Sequence, residues 1–143
     1  MPRPRVAAYV IRRLGDLVQL LVFDLEGSEG GPQVPVGGIR PAESRREAAL
    51  REVKEQTGLG TVRVVNELGI IESPDPHSGQ SRQTSYWVLE AAKELPSEWC
   101  HEVAPDGGGE ALALLCRWEP LPLTIALPDG QGSLLGQLRR FSV

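Results

Sequence analysis

Residues 37–60, GGIRPAESRREAALREVKEQTGLG, have room for one helix and specify where it starts and stops. Pro35 and Pro41 resist helix ahead of it, because proline lacks the amide donor and restricts the residue before it. Ser44 followed three residues later by Glu47 has the form of a capping box. A helix is therefore expected from Ser44 through Gln56 or Thr57, with Gly58 just past its end. Ala49 and Val53 lie one turn apart with Leu50 beside them and can face a core. Glu47, Arg51 and Glu55 are spaced to pair along the exposed side.

Most of the remaining chain reads as strand and turn. VAAYVIRR and LVQLLVFD, residues 6–13 and 17–24, are apolar runs joined by a tight turn at Gly15. Residues 61–72 form a long strand with a bend expected at Gly69, residues 83–92 another, and residues 111–121 a third. Residues 93–110 are expected to be irregular. QGSLLGQLRRF, residues 131–141, reads as a short terminal helix weakened by Gly136. Several strands with helices at two separated points imply a mixed α/β or α+β domain.

The chain has 143 residues and no internal repeat, so one domain over residues 1–143 is expected. A net charge of −4 gives no electrostatic reason to expect a nucleic-acid backbone or an anionic membrane as partner. No apolar run reaches the length of a membrane span, and Arg12 and Arg13 interrupt any signal-peptide core. Cys100 and Cys116 are too few for a disulfide framework or a zinc site, so a cytoplasmic, reduced protein with both as packing residues is the expectation.

The charge on the helix offers a candidate site. Glu52, Glu55 and Gln56 stand at i, i+3 and i+4 and share one face. Two carboxylates and an amide oxygen side by side suit a hard divalent cation such as Mg²⁺, which takes oxygen ligands and often binds through carboxylates plus substrate phosphates. The Gly37–Gly38 pair lets backbone approach a ligand or the helix closely. For the helix alone a purely solvated face is the favoured reading; the spacing of the whole segment changes that.

The spacing of the whole segment resembles the Nudix box, G-x(5)-E-x(7)-R-E-U-x-E-E-x-G-U, where U is a bulky aliphatic. Gly37, Glu43, Arg51, Glu52, Val53, Glu55, Gly58 and Leu59 match, and Gln56 stands where the last Glu belongs. Strand order and a late RWEPL stretch extend the resemblance over nearly the full chain. It implies an α/β/α sandwich around a mixed sheet, with a loop–helix–loop. It also implies an Mg²⁺- or Mn²⁺-dependent hydrolase that cuts the diphosphate of a nucleoside diphosphate linked to a moiety X by metal-activated water. Carried onto matched positions, Glu52 and Glu55 are metal ligands, and Glu52 is also a candidate base. Arg51 orients a box carboxylate, Glu43 assists the metal shell or the loop, and Gly37 meets a backbone requirement. Gln56 can coordinate through its carbonyl oxygen but brings no charge, so weaker metal affinity is expected, and a nucleotide-binding sensor without turnover stays open. Relatives that are dimers leave a homodimer open.

Other candidates are weaker. Gly37, Gly38, Arg40, Arg82 and Glu110 are candidate substrate contacts; Arg40 and Arg82 could hold phosphates, against a solvated role for either arginine. Some relatives supply a late carboxylate just before a Trp; here Arg117 precedes Trp118, leaving Glu110 or Glu119 as substitutes, with His101 nearby. Tyr86, Trp87, Trp99 and Trp118 are candidates to stack on a base, against core positions. Tyr86 and Trp87 must point to opposite faces of their strand. The 74–80 and 104–110 loops are candidates to close over substrate.

Overall fold

The computed structural model describes residues 3–104 and 109–141, with side chains through Leu138. β1 (Arg3–Leu14) and β2 (Leu17–Leu25) form the expected hairpin, turning at Gly15 with φ 60°. β3 (Val36–Gly38) precedes α1 (Arg45–Thr57), and β4 (Arg63–Pro74), β5 (Ser81–Glu90), β6 (Glu98–Val103) and β7 (Leu112–Pro120) follow. A 3-10 helix, Leu135–Phe141, ends the described chain.

The strands make one seven-stranded mixed sheet in the order β4-β5-β1-β2-β7-β6, with β3 also on β1. β1 is the hub. Its pairing with β5 is parallel. On its other side, Ile11–Leu14 pair with β2 and Arg5–Ala7 with β3. The hairpin partners therefore separate toward the start of β1, and the Gly37–Gly38 backbone takes the vacated edge.

Each face of the sheet has its own core. Ala8, Val10, Leu21, Leu89 and Trp118 pack under α1 with its Val53. Tyr9, Ile11, Leu20, Val22 and Val88 pack on the opposite face with Leu138 of the 3-10 helix. Val53 is fully buried, which stabilises by about 2 kcal/mol and pins the helix's inner face. The layered arrangement around a mixed sheet is the expected one.

Four expectations need correction. Residues 93–110 are not irregular throughout: Glu98–Val103 is an edge strand on β7. Its alternation sets Trp99, His101 and Val103 half-buried against exposed Glu98, Cys100 and Glu102, a period hidden by mixed residue types. The terminal helix is 3-10 and starts only at Leu135, after turns at 129–134. β1 begins at Arg3, well before Val6. Cys116 is buried as expected, but Cys100 is exposed on the edge strand. The bend expected at Gly69 coincides with a register shift between Glu67 and Gly69.

Among the described residues no helix is long and apolar enough to cross a membrane. Residues 105–108 of the Gly-rich loop lie outside the described residues.

Candidate functional site

α1 begins and ends where its caps dictate. The Glu47 amide donates to Ser44 Oγ at 3.0 Å, and the Ser44 amide donates to Glu47 Oε1 at 2.9 Å. Gly58 closes the helix at φ 82°. Because the cap engages Glu47, the expected Glu47–Arg51 pairing does not form, and Arg51 turns inward to 16% side-chain exposure.

Arg51 ties three carboxylates and the glycine turn together. Its Nε and Nη2 grip Glu43 as a fork at 2.7 and 2.9 Å, and Nη1 donates to Glu52 Oε1 at 2.6 Å. Nη1 also reaches Glu55 at 3.3 Å, and Nη2 donates to the Gly38 carbonyl at 2.7 Å. Bidentate guanidinium–carboxylate geometry is strong and directional. It holds the Glu43 carboxyl at a pKa of about 2, helped by the Arg40 amide. In return the hydrogen bond with Glu43 raises the Arg51 pKa.

Glu52 is the buried carboxylate, 7% exposed, and burial pushes its pKa up against the opposing pull of Arg51. Its place exists because residue 37 is glycine: a β-carbon there would stand 2.2 Å from the Glu52 carboxyl carbon. Gln56 Nε2 donates to Glu52 Oε2 at 2.5 Å and to the Val36 carbonyl at 2.8 Å. The amide thus meets Glu52 with its donor. Glu55 lies on the solvent side at 43% side-chain exposure and accepts from Arg40 at 3.1 Å.

These groups line one open trough of about 620 Å³ whose walls include Arg3, Gly37, Gly38, Arg40, Glu52 and Glu55. That volume is in the range of small-molecule sites. Among the described residues no group of three or more His, Cys, Asp and Glu is placed to hold a metal. A hard cation that binds through one or two carboxylates and completes its shell with water and phosphate oxygens fits the donors present. Burial disfavours the charged form of Glu52, and a cation beside it would offset that cost.

The NUDIX domain profile matches residues 1–133, nearly the whole chain. The chain belongs to the NUDIX domain family. It is 32% identical over 106 residues to an RNA pyrophosphohydrolase of Rhodopseudomonas palustris strain BisB18, covering 68% of this chain and 58% of that one. The chain thus spans little more than half the length of this curated relative. The NUDIX fold is seen also in the likeness to the Caenorhabditis elegans Ap4A hydrolase, with TM-score 0.68 and 19% identity over the full length of both. The NUDIX domain of Shewanella oneidensis NrtR, solved with ADP ribose, superposes with TM-score 0.65 and 16% identity, covering all of this chain and 90% of that one.

This NUDIX trough gathers most of the candidates on the box: Gly37, Gly38, Arg40, Arg51, Glu52, Glu55 and Gln56 line it, and Glu43 is tied to it through Arg51. Others lie elsewhere. Arg82 is on the face of the sheet opposite α1, beside Tyr86 and Asp129. Glu110 is exposed and is not among the residues lining the trough. Glu119 is paired with Arg117 at 2.8 Å on β7. The His101 ring meets the Glu55 carbonyl at 3.0 Å at the end of α1. Trp99 and Trp118 pack on each other at 6.2 Å, with Trp118 buried and covered by Arg12, so that pair is core. Tyr86 and Trp87 do point to opposite faces: Tyr86 joins the core below the 3-10 helix, and Trp87 packs toward α1. Arg3, which also lines the trough, falls outside a strand expected to start at Val6. The alternation of Arg3 and Arg5 ahead of VAAYV was the available signal.

Proposed function

We propose that the chain hydrolyses the diphosphate linkage of a nucleoside diphosphate joined to a moiety X, with Mg²⁺ or Mn²⁺ as cofactor. The observation that carries this reading is the buried Glu52 carboxylate, fixed by Arg51 and set against Gly37 at the floor of an open trough. Glu52 and Glu55 would hold the cation, with Gln56 and Glu43 completing or bracing the set. A bound divalent ion neutralises phosphate oxygens and lowers the pKa of an attacking water. The rest of the work belongs to the chain. Arg51 keeps the Glu52 carboxylate oriented, so little reorganisation is left for the reaction itself. Glu52, raised in pKa, is suited to accept a proton from water. Arg40 and Arg3, which line the trough, would bind phosphate oxygens.

A panel of nucleoside triphosphates, dinucleoside polyphosphates, nucleotide sugars, ADP ribose and 5′-triphosphorylated RNA tests the reading. The last two are included because one similar protein is named an RNA pyrophosphohydrolase and another was solved with ADP ribose. Turnover with Mg²⁺ or Mn²⁺ that disappears in Glu52→Gln is expected. Failure of every substrate with both metals would reject it.

The engagement of Glu52 by the Gln56 amide favours one second reading, a domain that binds nucleotide without turnover. Calorimetric binding of ADP ribose with no product after prolonged incubation would select it.

A further inference from the structure

A second polar hollow lies on the face of the sheet opposite α1. It encloses about 120 Å³, and Arg5, Arg82, Tyr86, Asp129 and Gln131 line it along with Val36. Its outer wall is the 128–131 turn, which the sheet holds firmly. Tyr86 Oη donates to the Gly130 carbonyl at 2.9 Å, and Tyr9 Oη donates to the Gln131 carbonyl at 2.5 Å. The Gln131 side chain accepts from the Val34 amide at 2.9 Å.

Arg82 is 8% exposed. Its Nη2 donates to Asp129 Oδ1 at 2.6 Å, and Nη1 stands 4.0 Å from Asp75 Oδ2. Its Nε is buried without a hydrogen-bond partner among the described residues. Leaving a charged donor buried and unpaired is costly. Arg5, on the neighbouring strand, enters the same hollow, and burial and then the Arg82 charge lower its pKa. Two guanidinium groups converging on one small cavity, one with an orphaned donor, form an arrangement that a phosphate oxyanion completes.

Position links this hollow to the trough. Arg5 is in register with Gly38, and Arg3 with Arg82. Gly38 and Arg3 line the trough, and Val36 lines both spaces. Size separates their roles. A whole small molecule takes roughly 300–1,000 Å³, so the hollow admits a group and not a nucleoside.

We infer that the Arg5–Arg82 hollow is a subsite for a phosphoryl group carried in addition to the diphosphate that is cut, so that nucleoside triphosphates and longer polyphosphates are favoured over nucleoside diphosphates linked to an uncharged X. The inference rests on the diphosphate-hydrolase reading of the trough. Asp129 is the built-in acceptor with which a phosphoryl oxygen competes for Arg82.

The test compares wild type with Arg82→Gln, Arg82→Lys and Asp129→Asn. With Mg²⁺, Arg82→Gln is expected to lower kcat/KM for a nucleoside triphosphate by about tenfold or more, mainly through KM. A nucleoside diphosphate sugar should change by less than about twofold, and Arg82→Lys should recover part of the loss. In metal-free buffer, calorimetric titration with inorganic tripolyphosphate should weaken in Arg82→Gln and tighten in Asp129→Asn. Equal effects of Arg82→Gln on both substrates would overturn the inference, as would unchanged tripolyphosphate binding alongside a lowered Tm. Arg82 would then be a clamp for the 128–131 turn, with its Nε meeting a structural water only. If no diphosphate is turned over at all, the hydrolase reading fails, and the tripolyphosphate titration still decides the hollow by itself.

Discussion

A β-carbon on Gly37 would sit 2.2 Å from the Glu52 carboxyl carbon, so strand β3 and helix α1 meet through the absence of a side chain. The contact is with the tip of a side chain, and Gly37 does not need a left-handed backbone. Gly37→Ala is therefore expected to move the Glu52 carboxylate away from Arg51 and Gln56 while leaving the sheet intact. The stability loss should be on the order of 1 kcal/mol. Turnover should fall about a hundredfold, as displacement of a positioned group does. Thermal unfolding and kcat measured on one preparation check this; a large Tm drop with proportionate activity loss would contradict it.

Glu52 is raised in pKa chiefly by burial. Its native pKa lies above its unfolded one, so the ionised form is disfavoured by folding and its cost grows as pH rises through that window. Glu52→Gln removes the charge and keeps the shape. We expect the variant to unfold in metal-free buffer at neutral pH at a Tm equal to or above wild type, and to have no measurable turnover. A clearly lowered Tm would mean that the Arg51 pairing outweighs the desolvation.

Glu43 behaves in the opposite sense. Arg51 holds its pKa near 2, well below the usual carboxylate range. A depressed carboxylate stabilises fully above its unfolded pKa, and that stability is lost as pH falls through the native value. The resistance of wild type to urea should fall between about pH 4.5 and 2 by a component that Glu43→Gln lacks. Parallel pH profiles for the two proteins would remove Glu43 from the account.

Gln56→Glu places a second carboxylate against Glu52 Oε2, where the amide now donates at 2.5 Å. Like charges in contact repel unless a cation lies between them. The variant should be less stable than wild type without metal, more stable with it, and should bind Mn²⁺ more tightly by electron paramagnetic resonance. Unchanged Mn²⁺ affinity would show that the position faces away from the cation.

Local signals in the chain carried the helix. Ser44, Glu47 and Gly58 act over three or four residues, and their hydrogen bonds and dihedral preferences hold before any tertiary contact forms. The same short range made Arg51, Glu52, Glu55 and Gln56 legible as neighbours, because helical spacing alone brings them together. The hairpin at Gly15 belongs to this class. So does the family resemblance, which rests on spacing within the box.

Only the packed chain decided the rest. Glu47 and Arg51 have pairing geometry in any helix, but the cap takes Glu47 and the glycine turn takes Arg51. Glu52 packs against Gly37, which β3 brings there by pairing with the first residues of β1. Arg5, Arg82 and Asp129 share a hollow although Arg5 and Asp129 lie 124 positions apart in sequence, through a parallel β1–β5 pairing that no local periodicity announces. Short-range preferences are properties of neighbouring peptide units. Burial and charge pairing depend on which surfaces the sheet brings face to face, and that is a property of the whole fold.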